Sequence, residues 1–340
     1  MPKRYLGNII TDTPTEPAGP FENDAASGVW SLAEANAYTA AGLWPNAANT
    51  LTALFMGGET ASNVLTNAVD QLNMGSTGNA TDFGDLSAAK NQGGACSSST
   101  RALYGGGSTG SAELNVIEYF TIATAGNATD FGDLSVNNYG IMSLSNATRG
   151  IFSGGQDGFG NAKNIIEYVT IATTGNVTDF GDLTVVKKLG ATAASSTRGV
   201  FYGGDTNVID YITIGSTGNA TDFGDASISN DRVFGSSNST TGVFAGASQT
   251  DGTIYKITIA TTGNDASFGG DLSDARIKGC STSSPTRGFF GAGTNNSDVR
   301  TNTVDFITYS SAGNAQDFGD LSAAKGNFTK ATSSAHGGLS

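Results

Sequence analysis

Six times along this chain of 340 residues the sequence returns to one segment, first seen as Thr77-Gly78-Asn79-Ala80-Thr81-Asp82-Phe83-Gly84-Asp85-Leu86. Its first glycine recurs, with successive spacings of 48, 49, 43, 45 and 50 residues, at Gly126, Gly175, Gly218, Gly263 and Gly313. A period of this length is typical of one propeller blade and is too long for a leucine-rich repeat or a β-helix rung. The sequence therefore predicts an all-β, six-bladed propeller.

The rest of the repeat indicates four strands per blade. A short strand ends in a double glycine, as in residues 148–155. A β-rich run such as residues 166–171 follows, with large side chains on both alternating faces, as expected for a sheet covered on both sides. We predict a tight hairpin turn at Thr-Gly-Asn, because Gly and Asn tolerate positive φ. The strand that carries the repeat phenylalanine comes next. Small residues at 191–196 then predict an innermost strand beside a crowded axis.

The two ends of the chain complement each other. Residues 52–58 match the double-glycine strand but lack a small-residue strand before them, and that strand appears at residues 324–334. A closed ring removes exposed sheet edges, so the C-terminal strand is expected to complete the first blade. We assign residues 51–340 to the propeller. The expected ring-closure residues are Phe328, Ala331, Leu54 and Phe55. The expected blade-core residues are Phe83, Phe131, Phe180, Phe223, Phe268 and Phe318.

Residues 1–50 are predicted to form an N-terminal attachment segment with one short helix. Ser31 and Glu34 form a capping box, Gly42 is a typical helix stop, and Pro45 prevents continuation. Two readings of the flanking tryptophans stay open: they pack on the first blade, or they dock on another protein, since Trp is enriched at interface hot spots. The expected attachment residues are Trp30, Leu43, Trp44 and Pro45.

Composition argues against several classes of partner. A formal net charge of -13 would repel nucleic acid and anionic lipid. No apolar run approaches the roughly 18 to 20 residues that cross a bilayer. The N-terminus has no apolar signal core, so we expect synthesis and folding in the cytoplasm. Cys96 and Cys280 occupy equivalent positions in different repeats and are expected to be small core residues that cannot form a disulfide.

The repeat resembles the kelch repeat over roughly residues 51 to 335. The resemblance rests on Gly154-Gly155, Glu167-Tyr168, Phe180 and Lys187, with Phe in place of the usual tryptophan. The repeat sequence Thr-Ile-Ala-Thr-Thr-Gly-Asn, followed by Thr-Asp-Phe-Gly-Asp-Leu, is similar to kelch-like repeats of virion proteins from tailed phages of aquatic bacteria. Residues 27–34 and 41–45 are similar to segments of phage structural proteins. The resemblance implies a virion location and several copies, or a homo-oligomer, on the particle.

Residues suited to catalysis are few. His336 is the only histidine, so a Ser-His-Asp triad, a Cys-His pair and a His-rich metal site all lack parts. We expect no enzyme activity, cofactor or metal. Paired aspartates such as Asp82 and Asp85 could serve glycoside hydrolysis or, weakly, calcium binding. They recur in nearly every repeat, however, so we predict that they cap turn amides. The other pairs are Asp130/Asp133, Asp179/Asp182 and Asp222/Asp225.

A recurring acid and a recurring arginine predict ion pairs within or between blades, with an arginine rim for glycan as the alternative. The acids are Asp70, Glu118, Glu167, Asp210 and Asp305, and the arginines are Arg101, Arg149, Arg198 and Arg287. Variable loops, such as 156–163 and 294–300, are typical of recognition. The sequence favours a non-enzymatic virion surface protein, a capsid or tail decoration, fibre or adhesion module that contacts other virion proteins and host glycan. The alternative is a carbohydrate-binding propeller lectin.

Overall fold

A computed structural model describes Arg4–Leu6, Ile9–Thr11 and residues 51–339. The chain divides into two compact units, Met1–Leu51 and Thr52–Ser340. In the first unit, Arg4–Leu6 and Ile9–Thr11 form an antiparallel pair. The predicted N-terminal helix and the four expected attachment residues, Trp30, Leu43, Trp44 and Pro45, lie outside the described residues.

The second unit is a six-bladed β-propeller, as predicted. Each blade is a four-stranded antiparallel sheet whose strands we call inner, second, third and outer. In that order, blade 1 contains Lys330–Ser333, Thr52–Met56, Ala68–Asn73 and Thr81–Asp85. Blade 2 contains Gly94–Ser97, Arg101–Gly105, Val116–Thr121 and Thr129–Asp133. Blade 3 contains Tyr139–Ser145, Arg149–Gln156, Lys163–Thr170 and Thr178–Lys187.

The remaining blades repeat this arrangement. Blade 4 contains Ala191–Ala194, Arg198–Tyr202, Val208–Thr213 and Thr221–Asp225. Blade 5 contains Phe234–Ser237, Thr241–Ala245, Thr253–Thr258 and Ala266–Asp271. Blade 6 contains Cys280–Ser283, Arg287–Gly291, Thr301–Thr308 and Gln316–Gly326. The short additional elements are the strands Glu59–Thr60, Arg276–Ile277 and Thr294–Asn295 and the 3-10 turn Gly337–Leu339.

The C-terminal strand closes the ring, which confirms the predicted closure. Lys330–Ser333 pairs with Thr52–Met56, so that Ala331 lies opposite Phe55 and Thr332 lies opposite Leu54. Phe328 precedes this strand and has a left-handed backbone, with φ of 63°. Glu59–Thr60 adds to the outer strand of blade 6 and ties the first and last blades together a second time.

Small residues form the inner strands, as expected beside the axis. Their hydroxyl groups link neighbouring blades: Ser145 Oγ donates to Ser97 O at 2.8 Å, and Ser333 Oγ donates to Ser283 O at 2.6 Å. Cys96 and Cys280 lie on the inner strands of blades 2 and 6, and both are buried, free thiols. Small side chains thus serve both close approach and hydrogen bonding between blades.

Apolar cores fill the spaces between neighbouring blades. One cluster joins Val69 and Phe83 of blade 1 to Tyr104 and Phe120 of blade 2. All six repeat phenylalanines are at most 3% exposed. Burying a side chain of this size contributes about 1.5–3 kcal/mol, so the repeat phenylalanine is a substantial part of each interface.

The Gly-Asn segment of the repeat contacts the neighbouring blade instead of forming the tight turn that we predicted. Gly126 N donates to Phe83 O at 2.8 Å, and Asn127 Oδ1 accepts from Asp85 N at 3.1 Å. Asn127 belongs to blade 2 and Asp85 to blade 1. The same contact, which we call the asparagine clasp, recurs at all six interfaces as Asn127–Asp85, Asn176–Asp133, Asn219–Asp182, Asn264–Asp225, Asn314–Asp271 and Asn79–Asp320.

Two details of the repeat follow from the clasp. A Cβ atom on Gly84 would come within 2.3 Å of Gly126 O, so only glycine lets the neighbouring segment approach. At Asp85 the clasp uses main-chain atoms and not the carboxylate that we predicted to cap turn amides. In the clasp, its main-chain N–H donates to Asn127, and its main-chain carbonyl accepts from Ala128 N at 2.8 Å.

Candidate functional site

The alternating strand directions place the loops on two faces of the propeller. The repeat face carries the loops between inner and second strands and between third and outer strands, for example residues 98–100 and 122–128. The loop face carries the loops between second and third strands and the connections to the next blade, for example residues 106–115 and 134–138. The repeat face is therefore built from the recurring segment, and the loop face from the variable ones.

The exposed large apolar side chains of the described residues lie on the loop face or, for two of them, near the end of the outer strand of blade 3 that leads to that face. Two surround the junction of blades 6 and 1, and four surround blade 3. They are Val64, Val299, Val136, Phe159, Val185 and Val186. Large exposed apolar groups that gather on one side of a protein are typical of interaction surfaces.

Phe159 is the most exposed of these residues, at 93%. Its loop is nonetheless ordered, because Asp157 Oδ1 accepts hydrogen bonds from Phe159 N and Asn161 N, both at 3.0 Å. Asn161 Nδ2 donates to the other carboxylate oxygen at 3.0 Å, and these hydrogen bonds hold the pKa of Asp157 below its usual value. The loop presents an aromatic ring that loses little further freedom on binding, which favours affinity.

The two variable loops named from the sequence lie on blades 3 and 6, at opposite positions of the six-membered ring. Each rises from a blade with a long outer strand, Thr178–Lys187 or Gln316–Gly326. The loop of blade 6 is tied to both neighbours. Gln249 Nε2 of blade 5 donates to Asp298 Oδ1 at 2.8 Å, and Arg300 of blade 6 donates to Glu59 Oε1 of blade 1 at 2.7 Å. Hydrogen bonds to both neighbouring blades thus hold this loop of the loop face in place.

The recurring acids form ion pairs between blades, but not with the predicted arginines. Their partners lie five residues after the clasp aspartate, at the end of the outer strand of the preceding blade or on the connection that follows it. All four pairs are buried: Lys90–Glu118, Lys187–Asp210 at 3.5 Å, Arg276–Asp305 at 2.8 Å and Lys325–Asp70 at 2.8 Å. Lys187 was singled out in the sequence as the basic residue of the kelch resemblance. The sequence alone did not show that it pairs with an acid of the next blade.

Two interfaces depart from this pattern. At the interface between blades 4 and 5, Asn230 occupies the position of the recurring base and Tyr255 occupies the position of the recurring acid. Neither charge of the pair is present there. Asn138 replaces the base opposite Glu167, which keeps its acid. Burial raises the pKa of Glu167, and a hydrogen bond from Ser135 opposes that shift. The interface between blades 2 and 3 therefore holds a buried acid without the basic partner found elsewhere.

The recurring arginines instead lie over aromatic rings. Arg149 is 4.6 Å from the ring centre of Tyr168, and its guanidinium donates to Ile214 O of the next blade at 2.9 Å. Arg101 and Arg198 make corresponding contacts with Tyr119 and Tyr211, and Arg287 stacks over Phe306. Cation–π contacts of this kind stabilise proteins by about 0.5–2 kcal/mol. The arginines thus stabilise the repeat face through contacts with aromatic rings and with backbone carbonyls.

The C-terminal turn lies in the central channel at the repeat face. Gly338 N donates to His336 Nδ1 at 3.2 Å, so Nε2 carries the proton and donates to Ser97 O at 2.9 Å. Burial lowers the pKa of His336 to about 4. Among the described residues, cavities along the axis include two of ≈ 60 Å³ each, one of them beside His336. Small-molecule sites have volumes of roughly 300–1,000 Å³, so neither cavity fits an organic substrate.

The other candidates for chemistry are dispersed. The aspartate pairs, such as Asp82 and Asp85, lie on outer strands at the perimeter. Among the described residues, no group of three or more His, Cys, Asp or Glu side chains could hold a metal ion. In the part of the chain that the structure describes, no helix has the length and apolar character needed to cross a membrane.

Comparison with known proteins gives no further assignment: no protein-family model matches the sequence, and no curated protein is significantly similar to it.

Proposed function

We propose that this protein is a non-enzymatic virion surface protein that is attached to the particle through residues 1–50 and displays the loop face outward. The observation that carries the proposal is the separation of the two faces. Thr52, the first residue of the propeller, lies at the repeat face, where Ser334 N donates to Thr52 O at 2.9 Å. The exposed apolar side chains lie on the opposite face or near the strand end that leads to it.

The position of Thr52 and the location of the variable loops support an anchor on one side and recognition on the other. The chain enters the propeller at Thr52, the first residue of the second strand of blade 1, at the end of that strand that faces the repeat face. The polar groups that recur on the repeat face hold blades to one another. This use of the titratable residues supports a structural and binding role over a catalytic one.

Composition of purified particles tests the proposal. Phage particles from an infected culture that expresses this protein should contain it in several copies, measured by quantitative mass spectrometry. The full-length variant Trp30→Ala, Trp44→Ala should lose incorporation while its thermal unfolding midpoint stays that of the unmodified chain. Phe159→Ala, on the loop face, is the matched control and should still be incorporated. Absence of the unmodified protein from purified particles would contradict the proposal.

Carbohydrate binding by the loop face is the second candidate, and the presentation of Phe159 favours it. An exposed ring can stack on the apolar face of a sugar, while Asp157 and Asn161 supply polar groups beside it. The purified protein should then bind a subset of surface polysaccharides on a glycan array, and Phe159→Ala should lose that binding at least tenfold. Failure of the unmodified protein to bind any glycan would remove this candidate.

A further inference from the structure

Lys330 places an ammonium group in the central channel at the loop face. It is the first residue of the closing strand of blade 1, and its Nζ donates to Ile141 O of blade 3 at 3.3 Å. The side chain therefore reaches past blade 2. It is partly buried and lines the cavity of ≈ 60 Å³ at this end of the channel. One hydrogen bond leaves two ammonium protons available.

Among the residues that the structure describes, no carboxylate lines this cavity. The hydroxyl protons of Ser143, Thr192 and Ser281 already donate to backbone carbonyls of neighbouring blades, at 2.7, 2.7 and 2.6 Å. The nearby thiol of Cys280 is neutral, because burial raises its pKa to about 12. Among residues 51–339, Lys330 forms no ion pair, whereas the four buried bases described above each face an acid.

Shielding a charged ammonium group from water without a counter-ion costs folding free energy. Desolvation lowers the pKa of Lys330 to about 8, so the charged form still predominates at pH 7. A cavity of ≈ 60 Å³ has room for a monatomic ion and a water molecule, since one water needs roughly 10–15 Å³ of such volume.

We propose that this end of the channel binds a small monovalent inorganic anion of the chloride class, with the Lys330 ammonium as its principal ligand. The anion supplies the counter-charge that residues 51–339 do not provide. Because Lys330 belongs to the strand that closes the ring and reaches to blade 3, bound anion also stabilises the closed ring. This site does not depend on the function proposed for the loop face.

Anomalous scattering from bromide tests the site directly. Crystals of the full-length protein grown in sodium bromide should show a bromine peak in the channel within hydrogen-bonding distance of Lys330 Nζ. Lys330→Met should lack the peak, and Lys256→Met, which removes an exposed lysine from blade 5, should keep it. Absence of the peak from the unmodified protein overturns the proposal, and so does an unchanged peak in Lys330→Met.

Thermal unfolding provides a second measurement. At equal ionic strength, sodium chloride should raise the unfolding midpoint above its value in sodium gluconate for the unmodified protein and for Lys256→Met, because ligand binding stabilises the folded state. Lys330→Met should lose this difference, and Lys330→Gln serves if the methionine variant does not fold. A halide effect equal in all variants contradicts the proposal, and if neither variant folds, the bromine peak of the unmodified protein decides.

Discussion

The repeat face and the loop face are built from the same six blades and differ in almost every other respect. On the repeat face, the asparagine clasp recurs at all six interfaces, and aromatic rings lie under Arg101, Arg149, Arg198 and Arg287. On the loop face, connections differ between blades and expose Phe159 and Val299. Residues that hold blades together are constrained to recur, including the buried bases on the connections, whereas exposed residues of the loop face are free to vary and to serve recognition.

The largest effect is expected where a buried charge loses its partner. Lys325→Met leaves the Asp70 carboxylate, which is 1% exposed, without a cation at the closing interface. Breaking a buried pair from one side costs about 3–5 kcal/mol. Urea unfolding should therefore show a free energy of unfolding lower by that amount. Adding Asp70→Asn should recover part of the loss, and Lys256→Met should change little. A loss below about 1 kcal/mol in Lys325→Met would contradict the role of the pair.

A smaller effect is expected from disturbing one asparagine clasp. Gly84→Ala places a methyl group within 2.3 Å of Gly126 O and forces the two segments apart. Overpacking of this kind costs about 1–3 kcal/mol, which urea unfolding measures. Gly126→Ala is the matched control, because no atom lies within 4 Å of its added Cβ. Equal stability of the two variants would show that the close approach at Gly84 is not needed.

A pH-dependent effect is expected at the interface where Asn138 takes the place of the recurring base opposite Glu167. The folded-state pKa of Glu167 is raised, chiefly by burial, so ionisation is less favourable in the folded protein than in the unfolded chain. Its contribution to stability is therefore fully present below the unfolded pKa and is lost as pH rises through the folded pKa. As pH rises from about 4 to 8, the free energy of unfolding of the unmodified protein should therefore fall relative to that of Glu167→Gln. A difference independent of pH would contradict this assignment.

The smallest effect on stability is expected on the loop face. Phe159 is 93% exposed, so Phe159→Ala should change the free energy of unfolding by less than about 0.5 kcal/mol. The same urea titration measures this value beside the interior variants. A loss above about 1 kcal/mol would show that Phe159 supports the fold, and it would weaken the contrast between the two faces.

The propeller and its closure could be predicted because both depend on order along the chain. A repeat that carries Phe83 and its five equivalents defines the blade, and the small-residue strand missing before Thr52 is found near the C-terminus. The charge partners could not be assigned in the same way. Glu118 pairs with Lys90, a base from the connection that precedes its blade, and only coordinates join these two positions.

The remaining features depend on contacts between distant segments. Asn127 was interpreted as a local turn residue, whereas it binds Asp85, 42 residues earlier in the chain. The exposure of Phe159 depends on how its loop folds over Asp157, which composition does not specify. Recurring residues thus revealed the architecture, and single residues on the variable loops revealed little until the loops were placed.

Hydrogen–deuterium exchange of the unmodified protein tests the ring closure on which the separation of the two faces depends. Peptides that cover Lys330–Ser333 should exchange as slowly as those that cover Ala191–Ala194, the inner strand of blade 4, because both strands occupy equivalent positions in four-stranded sheets. Exchange of residues 330–333 at the rate of an unstructured tail would contradict the closed ring.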